Sequence, residues 1–220
     1  MSVTTDAPRR EPLTKVVVLR TAVELADEVG DVPSTRQLAD RIGVKAMALY
    51  HHFRNKDALL DGMVDLVFAE IDLPAADVDW QTAMRRRCIS MREALMRHRW
   101  AIGLMDSRAN PGYETLRHHD AVLGCLRAGG FTVAGAAHAF SVVDGYVYGF
   151  VLQELALPFQ APEEVEDVAD VIMRDLPPEF PHLAEMITEH ALQPGYSHAD
   201  EFGIGLDLVL DGLRHHREAW

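Results

Sequence analysis

Apolar residues recur at helical spacing along most of the chain. Val18, Ala22, Leu25, Ala26 and Val29 fall at i, i+4, i+7, i+8 and i+11, one face of a helix. Thr14 is placed to cap it, Leu13 precedes the cap as a staple residue, and Gly30 suits its C-terminal end. After the turn at 31–33, Ser34 and Gln37 have capping-box spacing. A second, short helix therefore runs from Ser34 to Gly43, with Leu38, Ala39 and Ile42 facing inward. A third is expected from Lys45 to Phe53, anchored by Leu49 and Phe53. Asn55 caps a fourth, whose stripe of Leu59, Leu60, Met63, Val64, Val67 and Ile71 stops at Leu73-Pro74.

Further helices are expected at 80–98, capped by Asp79, at 101–105, and at 112–127 before Gly129-Gly130. Thr132 caps a long apolar helix that ends before Pro158. Residues 161–181 are acidic and proline-rich and read as a loop with a weak helical piece. Short and long helices follow at 183–190 and 201–215, the latter with Phe202, Leu206, Val209, Leu210 and Leu213 on one side. No run alternates as a strand does, so the class is all-α. The segment 128–153 is nearly uncharged, but it carries five glycines and Asp144, and reads as buried in a core or subunit interface, not in lipid. This helix and the last one carry more apolar surface than one protomer needs to bury. Paired across a two-fold axis they form a four-helix bundle, with Phe202, Leu206, Val209, Leu210 and Leu213 as the expected dimer interface.

Charge divides the chain. The total of -13 argues against a nucleic-acid binder, yet residues 1–60 hold nine basic and eight acidic side chains, and residues 61–220 hold twelve and twenty-six. All three lysines, Lys15, Lys45 and Lys56, lie in the first part. Residues 1–12 contain no apolar run and read as a disordered tail, not a secretory signal. Cys88 and Cys125 exclude a disulfide scaffold, and a cytoplasmic location is expected. A nucleophile elbow, an HExxH pair and a phosphate-cradling loop are all missing, so no enzyme is expected.

The second and third helices are short and joined through a glycine, the signature of a helix-turn-helix. Ala39 lets them cross closely, Gly43 permits the turn, and Leu49 pins the second of the pair. Lys45, Ala46, Met47, Ala48, Tyr50 and His51 then face outward, small or amphipathic enough for a major groove. Tyr50, His51, His52 and Lys56 are able to donate to phosphates.

The segment GVKAMALYHHFRNKDALL, residues 43–60, within residues 13–63, resembles the N-terminal domain of TetR-family transcriptional regulators. Residues 113–154 and 201–216 resemble a core domain of the tetracycline-repressor type. The resemblance implies a DNA-binding domain at 13–56 and a ligand-binding and dimerisation domain at 57–220. It implies a homodimer that binds a palindromic operator on double-stranded DNA and is released by a small-molecule effector. By position, Thr35 and Arg36 reach the backbone or a base edge, and Arg36 suits a bidentate guanine contact. Lys45, Ala46, Met47 and Ala48 occupy the base-reading face, Tyr50, His51 and His52 the backbone-contacting positions, and Lys56 a phosphate contact. Three apolar residues on that face depart from the tetracycline repressor and imply a different operator.

For the effector, the resemblance points to Arg87, Met91, Leu104, Met105, Arg108, Leu116, His119, Asp120, Phe140, Asp144 and Val147. An ion pair between Arg87 and Asp144 is the alternative for those two. Tetracycline repressors hold a magnesium-chelated drug through a histidine, where this chain has Leu104 and Met105 beside Asp106. That argues against metal-linked binding, and no cofactor is implied. The 118–120 run, His118, His119 and Asp120, and the pair His215 and His216 invite a metal reading, but adjacent residues on a helix point about 100° apart and rarely share one ion, so they read as solvated or capping. The rival reading is a small-molecule-binding helical module without sequence-specific DNA binding.

Overall fold

The computed structural model describes residues 13–105, 107–158 and 163–217, so the expected tail at 1–12 and Asp106 lie outside the described residues. The described residues contain helices and turns and no strand. They fall into two compact units, one of residues 13–70 and 97–116, the other of 71–96 and 117–217.

The first unit is built from α1 (Lys15–Val29), α2 (Thr35–Ile42), α3 (Ala46–Leu49) and α4 (Lys56–Ala69), with the stretch 97–116 folded against them. Its local signals act as the sequence suggests. Thr14 accepts from the Val17 amide at 3.2 Å, and Asn55 from the Ala58 amide at 2.8 Å. Val18, Ala22, Leu25 and Ala26 of α1 are buried with Leu38 and Ala39 of α2, Leu49 of α3, and Leu59, Leu60, Met63, Val64 and Val67 of α4. Truncating one of these leucines or Met63 to Ala would cost about 2–5 kcal/mol. The sequence reading begins the core domain at residue 57, whereas α4 packs within the first unit.

The second unit holds α5 (Trp80–Arg97), α6 (Tyr113–Ala128), α7 (Val133–Ala156), α8 (Glu163–Asp175), α9 (Pro181–Met186) and α10 (His198–His216), apart from the first turn of α6 and the last residue of α5. Asp79 caps α5 by accepting from the Thr82 amide at 3.0 Å. The Trp80 ring meets Phe131 edge-on at 4.9 Å. Helix α10 lies on α7, where the Tyr146 ring stacks on Phe202 at 5.6 Å and its hydroxyl donates to the Phe202 carbonyl at 2.8 Å. Among the described residues, no helix is long and apolar enough to cross a membrane.

Four expectations are corrected. Helix α3 spans only Ala46–Leu49, because His51 and His52 donate back three residues and tighten the chain into turns. The expected loop at 161–181 contains a thirteen-residue helix, α8, with Val165 and Ala169 buried one turn apart. Prolines 158, 162, 177 and 178 flank that helix, and a flanking proline bounds a helix without preventing it. The helix expected at 183–190 starts two residues earlier, at Pro181, and passes into a wider π-type turn at Ile187–Ala191. Lastly, Phe202, Leu206, Leu210 and Leu213 are buried within the protomer itself, and Val209 is half-buried. The strongest apolar stripe of α10 therefore serves its own core. The apolar residues α10 leaves exposed are Ile204 and Leu208, at 58% and 71% exposure.

Candidate functional site

In the first unit, the capping box closes the start of α2. The Ser34 amide donates to Gln37 Oε1 at 2.8 Å, and the Gln37 amide donates to Ser34 Oγ at 3.3 Å. This leaves Thr35 half-buried and Arg36 on the surface, its side chain 91% exposed and only loosely paired with Asp40 at 3.9 Å. Gly43 follows with φ of 78°, its amide donating to the Ala39 carbonyl at 2.9 Å. A side chain with a Cβ is strained in that left-handed region, so glycine sets the angle at which α3 leaves α2. On α3 and its flanks, Lys45 and Met47 are exposed and Ala46 and Ala48 half-buried, while Leu49 anchors the helix inward. Tyr50, His51 and Lys56 are exposed and His52 is half-buried. A major groove admits a helix of this width, and the exposed residues are its available donors.

The stretch 97–116 is tied to α4 of the same unit by its side chains. Arg108 donates from Nε to Asp61 at 2.7 Å and from Nη2 to Asp57 at 2.9 Å. Two of its three guanidinium nitrogens are thus turned to α4, a partner the sequence reading did not give it. Further along, the Thr115 amide and hydroxyl donate to Asp65 Oδ1 at 2.8 and 3.0 Å. Gly112 lies so close that a Cβ would come within 2.2 Å of the Asp65 carboxyl carbon. His98, buried, places Nδ1 2.8 Å from Asp27 of α1 and Nε2 3.1 Å from Glu70. Burial would raise the Glu70 carboxyl, but hydrogen bonds from His98 and Arg97 overcome it and hold the group below its usual range. Leu104 is half-buried, Met105 buried and Leu116 exposed.

In the second unit, Arg87 and Asp144 pair with each other. The Arg87 side chain is wholly buried and engages Asp144 through both terminal nitrogens, the longer contact being 3.2 Å. Its Nε donates to His118 Nε2 at 3.4 Å. Burial and the Arg87 charge together push His118 down to about 3, so the ring is neutral at ordinary pH. Burial works against the Arg87 charge, but Asp144 outweighs it and raises the guanidinium. Burial pushes the neighbouring Cys88 thiol up to about 11, which removes it as a nucleophile. Met91 and Val147 are buried, Asp120 is exposed, and the His119 ring meets Phe140 edge-on at 5.2 Å. The solvated reading of His118 is corrected: the ring has no exposed surface. Thr115, His118 and Val122 are all buried at i, i+3 and i+7, the spacing that marks an inward helix face. Among the described residues, no group of three His, Cys, Asp or Glu side chains is arranged to hold a metal ion.

A helix-turn-helix with an exposed, donor-bearing face, joined in one all-helical chain to a core with a buried polar cluster, defines a DNA-binding transcriptional regulator. Residues 18–63 match the family of bacterial regulatory proteins termed tetR, and residues 73–217 match the tetracyclin repressor-like C-terminal domain. The class G tetracycline repressor of Vibrio anguillarum is 33% identical over 211 residues, covering 94% of this chain and 96% of that protein. A possible TetR-family regulator from Streptomyces coelicolor A3(2) superimposes with a TM-score of 0.76 at 30% identity, covering 92% of this chain and all of that one. ActR of Streptomyces coelicolor in complex with actinorhodin gives 0.77 at 25% identity, covering 94% and 99%. The chain belongs to the TetR family of transcriptional regulators.

Proposed function

We propose that this chain is a homodimeric repressor acting in the cytoplasm, where its operator lies, with its DNA contacts within residues 13–56 of the first unit and an effector-receiving, dimerising second unit. The observation that carries this is the exposed surface of α2, α3 and the start of α4 on a rigidly capped scaffold. Arg36 and Lys45 read base edges together with His51. Thr35, Tyr50, His52 and Lys56 hold phosphates, and Ala46, Met47 and Ala48 meet thymine methyl groups. The dimer face is the outer stripe of α7, the exposed Val142, Gly145 and Leu152 with the half-buried Gly149 among them, and Ile204 and Leu208 of α10. Such a pairing sets two recognition helices about 34–36 Å apart for successive major grooves.

The effector is a small amphipathic molecule received in the second unit, where His119 and Phe140 offer aromatic contact near a polar centre of Arg87, Asp144 and His118. Related proteins are named for tetracycline, and one was solved with actinorhodin. Leu104 and Met105 stand where the tetracycline-repressor resemblance implies a metal-binding histidine, so no metal-chelated ligand is proposed. The chain has no catalytic role in this reading. The test is fluorescence anisotropy with the duplex found upstream of its own gene, against a scrambled duplex. Wild type should prefer the former, and Arg36→Ala should lose about 1–3 kcal/mol of that preference. Equal affinity of wild type for both duplexes would leave a ligand-binding module and refute the operator reading.

A further inference from the structure

The first two turns of α4 hold a conflict. Lys56 opens the helix where phosphate is expected, yet Asp57 and Asp61 follow it at once, one turn apart. An acid in the first turn stabilises a helix through the exposed amide dipoles, so Asp57 favours α4 itself. Near a phosphate the same charge opposes binding.

One guanidinium meets both carboxylates. Arg108 donates to Asp61 Oδ1 at 2.7 Å, to Asp57 Oδ1 at 2.9 Å and to the Asp57 carbonyl at 3.3 Å. The Arg108 and Asp61 side chains are 15% and 11% exposed, so that pair is held, while Asp57, 69% exposed, is met at the surface. Arg108 also reaches α4 from a stretch nearly fifty residues away in sequence, so the neutralising charge is not part of α4.

We propose that Arg108 is a positioning residue for operator binding. It cancels Asp57 and Asp61 and fixes the first two turns of α4, so that Lys56 and the free amides of the helix start face phosphate without adjacent negative charge. The proposal rests on the reading above that α4 meets phosphate. It gives Arg108 a place in DNA binding, separate from any effector contact.

The experiment measures affinity for the upstream duplex by anisotropy at two salt concentrations. The proteins are wild type, Lys56→Ala, Arg108→Gln, and the triple variant Arg108→Gln/Asp57→Asn/Asp61→Asn, each checked for helical content. Arg108→Gln should bind about tenfold more weakly at about 0.1 M salt, with the deficit shrinking at about 0.3 M as screening grows. The triple variant should return to within about twofold of wild type, because the charges that needed cancelling are gone. Removing the stranded carboxylates would ease a folding defect as well, so urea midpoints are measured on the same proteins, and an affinity loss that only follows lost stability would overturn the proposal. Wild-type affinity of Arg108→Gln, or a deficit that persists in the triple variant, would overturn the proposal. Full affinity of Lys56→Ala would instead overturn the reading that α4 meets phosphate, and the proposal with it.

Discussion

Asp144→Asn changes one atom's identity and almost no volume, yet it strips the buried Arg87 of its counter-charge. The Arg87 side chain has no exposed surface and Asp144 only 8%, so water cannot take the place of the lost carboxylate. His118 still accepts from Nε, but at 3.4 Å and as a neutral ring it compensates little. Breaking a buried pair by removing one partner costs about 3–5 kcal/mol. A domain of ordinary stability has about 5–15 kcal/mol in total, so the variant should lose a large share of it. Urea unfolding at fixed protomer concentration measures this, since dimer stability depends on concentration. The paired replacement Arg87→Met/Asp144→Leu should be far milder than Asp144→Asn, because no charge is left behind. A loss below about 1 kcal/mol for Asp144→Asn would refute the view that this pair is desolvated and mutually dependent.

His118 gives a pH signature of definite sign. Folded, it takes up a proton only near pH 3, whereas unfolded it titrates near 6.5. Between those values the unfolded chain binds more protons, so this contribution to stability is full above 6.5 and falls away as pH drops toward 3. At pH 5 the loss relative to pH 7 should be about 2 kcal/mol, and urea midpoints for His118→Asn should show a correspondingly flatter pH dependence. Gly112→Ala should lower stability by about 1–3 kcal/mol, read as a drop in melting temperature, because its methyl group displaces Asp65 from Thr115. Leu208→Glu should leave helical content intact and shift the protein toward monomer in sedimentation, whereas Phe202→Ala should destabilise the protomer by about 3–5 kcal/mol.

What was legible in the sequence was mostly local. Thr14, Ser34 with Gln37, Asn55, Asp79 and Thr132 mark helix starts because a cap bonds within three residues, and all five do so. Gly43 marks the crossing of α2 and α3 for the same reason. Features set by distant packing were harder to read. Asp57, Asp61 and Asp65 look like an ordinary solvated face until Arg108 and Thr115 arrive from some fifty residues away. The stripe of α10 was visible, but a stripe does not say whether its partner is the same chain or another. Composition misled at α8, where prolines outside the helix coloured a segment that pairs Val165 with Ala169.

The recognition helix holds only Ala46, Met47, Ala48 and Leu49, and of these only Leu49 is buried. The residues proposed to meet the operator thus contribute little to the packing that holds the domain together. Surface changes of this kind usually alter stability by less than about 0.5 kcal/mol, while one new bidentate base contact is worth about 1–3 kcal/mol. The exposed Lys45 and Met47 are therefore the open slots for altered operator preference. A lineage carrying this scaffold is free to acquire new target sites by single substitutions, without passing through an unstable intermediate.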